Sequence, residues 1–240
     1  SFPTRRSSDL GQYAENKFVG VNCGIMDQFA IAMGKAKHAI FLDTATLQYT
    51  YAPIHMDGYK IVIGNTNKVR RLEDSKYNER RSQCETALKD LRHIRPLESL
   101  GALTVEEFDM LAYAIKDPVN VRRARHAVCE NQRTIRAVKA LEDNDLKTFG
   151  LLMNASHVSL RDDYEVTGAE LDTMVEAAWQ QEGVIGARMT GAGFGGCSVS
   201  IVREDCVEAF IKNVGNIYKE RIGYEAGFYV VEIGDGPKQL

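Results

Sequence analysis

The sequence predicts an α+β fold, with helices filling the middle of the chain and strands framing both ends. Three observations predict it. Short β-rich runs stand towards the two ends, at Tyr59–Asn65 (YKIVIGN) and at residues 197–202 (CSVSIV). Between them, apolar residues recur at three- and four-residue spacing over long stretches, the period of an amphipathic helix. Finally, strands and helices do not alternate regularly, as a doubly wound parallel sheet would require. A chain of 240 residues can bury a sizeable core as one large domain or two small ones.

In chain order, residues 24–33 (GIMDQFAIAM) place Ile25, Phe29 and Ala32 on one helical face, with Gly34 as a stop. Residues 39–43 and 49–52 read as short strands, and 59–65 as a buried strand ending in an Asn-Thr-Asn turn. Tyr77, Cys84, Leu88 and Leu91 share a helical face over residues 73–91. Thr104 with Glu107, and Thr167 with Glu170, have the spacing of a capping box. Residues 119–141 and 146–158 read as helices between those two boxes. Strands at 187–190 and 197–202 flank a glycine-rich loop, followed by a helix at 205–221 and a closing strand at 228–233. The first ten residues, SFPTRRSSDL, have neither an apolar period nor a usual helix start. They resemble a translated short-read sequencing adapter, so residues 1–10 are expected to be a non-native artefact that packs poorly.

Composition excludes several classes of function. The net charge of −3 gives no electrostatic reason to expect a nucleic-acid partner or an anionic membrane surface. Apolar runs are far too short to cross a bilayer. The five cysteines form no CxxC pair and are odd in number, as expected of a protein in a reducing cytoplasm. The five histidines show no HExxH or other metal spacing, which argues against zinc chemistry.

Four segments contain residues of chemical interest. Gly191, Gly193 and Gly196 satisfy G-x-G-x-x-G literally. A dinucleotide site, however, needs a helix to open at the glycines so that its N-terminus meets the pyrophosphate, and here a β-rich run follows. The expectation is therefore a strand–glycine–strand turn, whether a plain hairpin or a place of close ligand approach. Asp27 falls in the first turn of a helix, where exposed N–H groups stabilise a carboxylate with or without a ligand. Tyr77 reads as a core residue with a wet hydroxyl, and Arg80 and Arg81 as a solvated helix face. Residues 156–165 (SHVSLRDDYE) read as an ion-paired helix terminus.

The order of these segments is more specific than any one of them. FVGVNCGIMDQF (18–29), SKYNERRSQCE (75–85), SHVSLRDDYEVT (156–167) and RMTGAGFGGCSV (188–199) together resemble the galactokinases of the GHMP kinase superfamily. The likeness runs from about Gln12 to Tyr229. It implies a GHMP fold, with residues 11–52 ending the N-terminal domain and 53–240 forming the C-terminal domain. It also implies ATP and Mg2+ as cofactors, galactose as substrate, and a cytoplasmic monomer that binds neither nucleic acid nor membrane. By position, Asp27 matches the catalytic aspartate beside the sugar's anomeric hydroxyl, and Tyr77 a galactose-binding tyrosine. Glu15 matches a magnesium ligand, and Gly191, Gly193, Gly195 and Gly196 the third motif near the phosphate loop. These groups are expected to converge on one spot. A kinase for N-acetylgalactosamine or another sugar, and a non-catalytic galactose sensor, remain open readings.

The family's opening segment, with an arginine beside the aspartate, Glu-His-x-Asp sugar ligands and a glycine- and serine-rich ATP loop, finds no counterpart in these 240 residues. The chain by itself is therefore expected to be inactive and, through exposed apolar surface, prone to aggregate. A coupled assay should detect no ATP-dependent phosphorylation of galactose by it, and turnover above background would overturn that expectation.

Overall fold

The structure is a computed structural model that describes residues 5–20, 23–69 and 73–237. Its backbone forms two compact units. The first comprises Ser1–Met56, Val138–Asp145 and Glu232–Leu240, and the second Asp57–Ala137 and Leu146–Val231.

The first unit opens with helix α1 (Arg5–Ala14), a π-helical turn at Glu15–Val19 and helix α2 (Met26–Met33). Residues 5–10 are thus helical, where the sequence offered no helix start, and Ser8 is buried while Leu10 stays exposed. Gly20 closes the π-turn with φ 81°, its N–H donating to the Glu15 carbonyl. Phe29 is the buried anchor of α2 and packs edge-on against Tyr49, with centroids 5.3 Å apart. Tyr49 belongs to an antiparallel pair of strands, β1 (His38–Leu42) and β2 (Tyr49–Pro53). On that same pair, the Tyr51 hydroxyl donates to the Met33 carbonyl at the end of α2. Phe18, Val19, Met26 and Ile31 leave large apolar side chains exposed in this unit, Phe18 at 87%.

The second unit is built on an antiparallel four-stranded sheet in the order β4-β5-β3-β6, with β3 at Tyr59–Asn65, β4 at Val184–Thr190, β5 at Cys197–Arg203 and β6 at Gly227–Val231. Helices α7 (Ala169–Trp179) and α8 (Val207–Ile222) bury their apolar faces on it. Val62, Ala187 and Val202 of the sheet meet Met174, Val175, Phe210, Val214 and Tyr218 in this core. A second core joins α3 (Glu73–Arg92), α4 (Val105–Leu111) and α5 (Pro118–Glu142) through Leu91, Leu103, Phe108, Ala124 and Val128. The capping box of α4 is present as the sequence predicts. Glu107 N–H donates to Thr104 Oγ1 at 3.1 Å, and Thr104 N–H to Glu107 Oε2 at 3.0 Å.

The second predicted box is not formed. Helix α7 starts after Gly168, which holds φ 84° and ψ 167°, a backbone unavailable to a side-chain cap from Thr167. Thr167 is buried instead, and Glu170 pairs with Lys68 at 2.9 Å. The last helix also starts later than the sequence suggests, at Val207, behind a 3₁₀ turn over Glu204–Cys206.

Helix α6 (Leu146–Ser159) lies along the outer edge of β4 and solves the edge-strand problem with side chains. Asn154 Oδ1 accepts the Ala187 N–H at 2.9 Å, and His157 Nδ1 accepts the Met189 N–H at 3.1 Å. Because Nδ1 accepts, the His157 proton sits on Nε2, facing Asp172 Oδ1 at 3.3 Å. This approach requires two glycines. A Cβ on Gly150 would stand 2.0 Å from the Ile185 carbonyl oxygen, and one on Gly186 2.6 Å from Gly150.

Gly150→Ala therefore sets two effects against each other. Helix propensity favours alanine by about 1 kcal/mol, whereas overpacking against fixed backbone costs about 1–3 kcal/mol or more. A contact of 2.0 Å with a carbonyl leaves the overlap dominant. Urea unfolding should show a clearly lower midpoint for Gly150→Ala than for the parent chain.

Candidate functional site

The glycine-rich loop is a hairpin turn joining β4 to β5, and no helix opens at it. Gly191, Gly193, Gly195 and Gly196 hold φ of 81°, 85°, 119° and 82°, and Phe194 between them 57°. Nearly the whole turn is left-handed, which explains its composition. Two of the glycines are also packed. A Cβ on Gly193 would fall 2.1 Å from the Val166 carbonyl oxygen, and one on Gly195 2.9 Å from the Lys68 side chain. Gly191 has open space around it, so only its backbone conformation demands glycine. The turn is tied down by Phe194 N–H to Val166 O at 2.6 Å and by Thr66 N–H to Gly196 O at 2.8 Å.

Residues 160–168 support this turn from below. After α6 the chain makes a π-turn at Leu160–Tyr164, and Glu165 then takes a left-handed conformation with φ 54°. Two guanidinium groups hold that stretch. Arg80 of α3 donates to the Tyr164 carbonyl at 2.7 Å and the Glu165 carbonyl at 3.1 Å. Arg123 of α5, only 2% exposed, donates to the Asp163 carbonyl and to Glu165 Oε2, both at 2.5 Å, and to Gln83 Oε1 at 3.1 Å. The bonded Arg123 and Arg122 keep the Glu165 carboxyl below its ordinary range, Arg123 contributing most.

Tyr77 lies half-buried near the start of α3, one turn before Arg80. The adjacent Lys76 ammonium sits 5.5 Å from the Phe194 ring, so this end of α3 borders the glycine turn. Burial, then the Cys84 thiol and the Tyr77 hydroxyl, push the Tyr164 hydroxyl well above its ordinary value. His126 stacks on Tyr164 with centroids 4.5 Å apart, and its Nδ1 lies 3.0 Å from Ser159 Oγ. Since Ser159 donates onward to Asp163 Oδ2 at 2.7 Å, its oxygen accepts from His126 Nδ1–H.

In the first unit, Asp27 is exposed in the first turn of α2, whose N-cap, Ile25, supplies no side-chain cap. The loop before it is fixed to α1 and the π-turn. Gln12 Nε2 donates to the Cys23 carbonyl at 3.2 Å, and Cys23 N–H to Asn16 Oδ1 at 3.1 Å. Glu15, next to Asn16, is half-buried.

Residues 137–220 match the family model described as GHMP kinases C terminal. Over 229 residues the chain is 64% identical to a galactokinase of Clostridium beijerinckii, covering 95% of this chain and 59% of that protein. It is 62% identical over 231 residues to a galactokinase of Lactiplantibacillus plantarum, covering 96% of this chain and 60% of the relative. The crystal structure of Lactococcus lactis galactokinase complexed with galactose superposes with a TM-score of 0.94 at 54% identity, over 97% of this chain and 60% of that one. The chain is similar to galactokinases over nearly its whole length. It spans about three fifths of the length of the curated relatives it matches.

The site residues named from sequence divide between the two units. Glu15 and Asp27 fall in the first, and Tyr77 and the four glycines in the second. One sequence expectation is overturned. Arg80 is not on a solvated face but buried at 9% exposure, because its guanidinium turns inward to donate to the carbonyls of residues 164 and 165. Arg81 does remain exposed, paired with Glu85. Sequence reasoning also missed Arg123 and His126. The available signal was their place beside the buried row Asn120, Ala124 and Val128 of α5, where cations would be unexpected unless paired.

Burial is the main influence drawing His126 down to about 4 from an ordinary 6.5, with Glu130 opposing and Arg133 reinforcing it. The unfolded chain therefore binds a proton between pH 6.5 and 4 that the folded chain refuses, so stability falls as pH falls through that window. The shift corresponds to about 3 kcal/mol in order of magnitude. Chemical denaturation between pH 7 and 4 should show this slope in the parent chain and a shallower one in His126→Gln.

Proposed function

We propose that this chain supplies the sugar-facing part of an ATP-dependent galactokinase, which transfers the γ-phosphoryl group of ATP to the anomeric hydroxyl of galactose and yields galactose 1-phosphate. The observation that carries this reading is the superposition on a galactose-bound galactokinase at 54% identity over nearly the whole chain. In this account residues 11–52 end the GHMP N-terminal domain and residues 53–240 form the C-terminal domain, with residues 1–10 as non-native sequence. The protein would act as a cytoplasmic monomer without nucleic-acid or membrane partners. Among the described residues no helix is long and apolar enough to cross a membrane.

Asp27 would accept the proton of the anomeric hydroxyl and hold that oxygen in line with the phosphoryl group. Its exposed position at a helix start leaves the carboxylate open to a docking hydroxyl. Tyr77, an amphipathic side chain half out of the core, would pack on the sugar and offer its hydroxyl. Gly191, Gly193, Gly195 and Gly196 would border the nucleotide phosphates. Because Gly193 and Gly195 are packed against Val166 and Lys68, their main part would be to set the turn's position.

Glu15 is the residue that would hold Mg2+. Among the described residues no group of three or more His, Cys, Asp or Glu side chains could cage a metal. That fits magnesium, which favours one or two carboxylates with phosphate and water oxygens completing its shell. When bound, the ion would neutralise charge on the transferring phosphates.

The test is Asp27→Ala in galactokinase completed to the length of its relatives. Turnover should drop about 10²- to 10⁴-fold, the usual weight of general acid–base catalysis, with an unchanged thermal melt. Activity near the parent's would refute the role of Asp27. Preferred turnover of N-acetylgalactosamine, or galactose binding without any turnover in the parent protein, would replace the galactokinase reading by another sugar kinase or by a sensor.

A further inference from the structure

We infer that Arg80 is a positioning residue that couples the Tyr77 end of α3 to the glycine turn. The inference rests on the galactokinase reading for what Tyr77 and the turn do, but not for the coupling itself. Tyr77 and Arg80 are three residues apart, hence on one side of the helix. From Arg80 the connection runs through hydrogen bonds and one peptide link. Its guanidinium holds the carbonyls of Tyr164 and Glu165 at 2.7 and 3.1 Å. The next residue, Val166, donates its N–H to the Leu160 carbonyl at 3.1 Å and accepts the Phe194 N–H at 2.6 Å. Gly193 stands so close to that Val166 carbonyl that no side chain fits between them.

Both ends of this path are buried, while Glu165 between them is exposed. Arg80 is 9% exposed, and Val166 and Thr167 are 4% and 2% exposed. Glu165 occupies a left-handed conformation that a non-glycine residue keeps only when its surroundings dictate it. Arg123 grips the same stretch from α5, through the Asp163 carbonyl and the Glu165 carboxylate. Arg80 differs from it in being the link that starts on α3, one turn from Tyr77. Where a sugar-facing side chain and a phosphate-facing turn must stay in register within a fraction of an ångström, such a path keeps them so.

Amide hydrogen exchange on the chain, read residue by residue in parent, Arg80→Met, Arg80→Lys and Gly193→Ala, tests the inference. Arg80→Met keeps the aliphatic bulk but removes every donor. It should accelerate exchange at Phe194 by about tenfold or more, the worth of a lost hydrogen bond in local opening. Exchange at Val62 and Ile201, in the middle of the sheet, should stay within about twofold. Gly193→Ala should produce the same local pattern from the other end, and Arg80→Lys, with one donor kept, an intermediate one. Unchanged exchange at Phe194, or equal acceleration at Phe194, Val62 and Ile201, would overturn the inference, the second result marking Arg80 as a purely structural buried cation. Should Arg80→Met fail to fold, Arg80→Lys is judged by the same ratio. The outcome does not depend on phosphorylation, so it and the Asp27→Ala test can fail separately.

Discussion

Between Leu160 and Gly168 the chain leaves α-helical geometry, and the second unit depends on how the freed backbone groups are satisfied. Each buried carbonyl left without a donor would cost about 1–3 kcal/mol. The left-handed Glu165 adds about 1–3 kcal/mol of strain. The segment runs from buried Leu160, Val166 and Thr167 to exposed Asp162, Glu165 and Gly168, and donors from elsewhere must meet its free carbonyls. Two arginines from different helices do, each with a planar fork that serves neighbouring acceptors at once. In return the Glu165 carboxylate pairs with Arg123 and the Glu79 carboxylate with Arg80, while the carbonyls accept further donors of both cations. The arrangement is mutual: neither the arginines nor the irregular segment would persist in this form without the other.

The same requirement shapes the neighbouring strand. As an edge strand, β4 presents N–H groups that a helix backbone cannot accept. Helix α6 therefore answers with side chains, Asn154 and His157, spaced to meet alternate residues of the strand. That reach is possible only because Gly150 and Gly186 let helix and strand nearly touch. Farther along α5, Glu130 joins this corner through Ser156, Arg133 and Arg188. Burial opposes its charge, yet Arg188 and the bonded Ser156 and Arg133 outweigh that and keep its carboxyl below the ordinary range. Charge and hydrogen bonding thus fasten the sheet's outer edge to the helical core, and the glycine turn grows from that edge.

The first unit follows a different logic. Glu15 is half-buried and Asp27 exposed, while Gln12 and Asn16 hold Cys23 and Phe29 anchors α2. The galactokinase reading asks these carboxylates to meet a hydroxyl and a hard cation.

The sequence by itself determined a good deal here. The strand at Tyr59–Asn65, the long helices of the middle and the capping box at Thr104 are local in origin, since periodicity and cap chemistry act over a few residues. The rejection of a dinucleotide loop was equally local, because a β-rich run after Gly196 excludes a helix. Recognition of the family rested on the order of four short motifs, which folding does not alter. What only the tertiary structure decided was the fate of side chains whose partners are distant in sequence. Arg80 meets carbonyls 84 and 85 residues away, a distance at which no helical periodicity distinguishes a buried cation from a solvated one. Thr167 lost its predicted cap for the same reason: the packing around the glycine turn set the backbone of Gly168 and Glu165, and local propensity yielded to it.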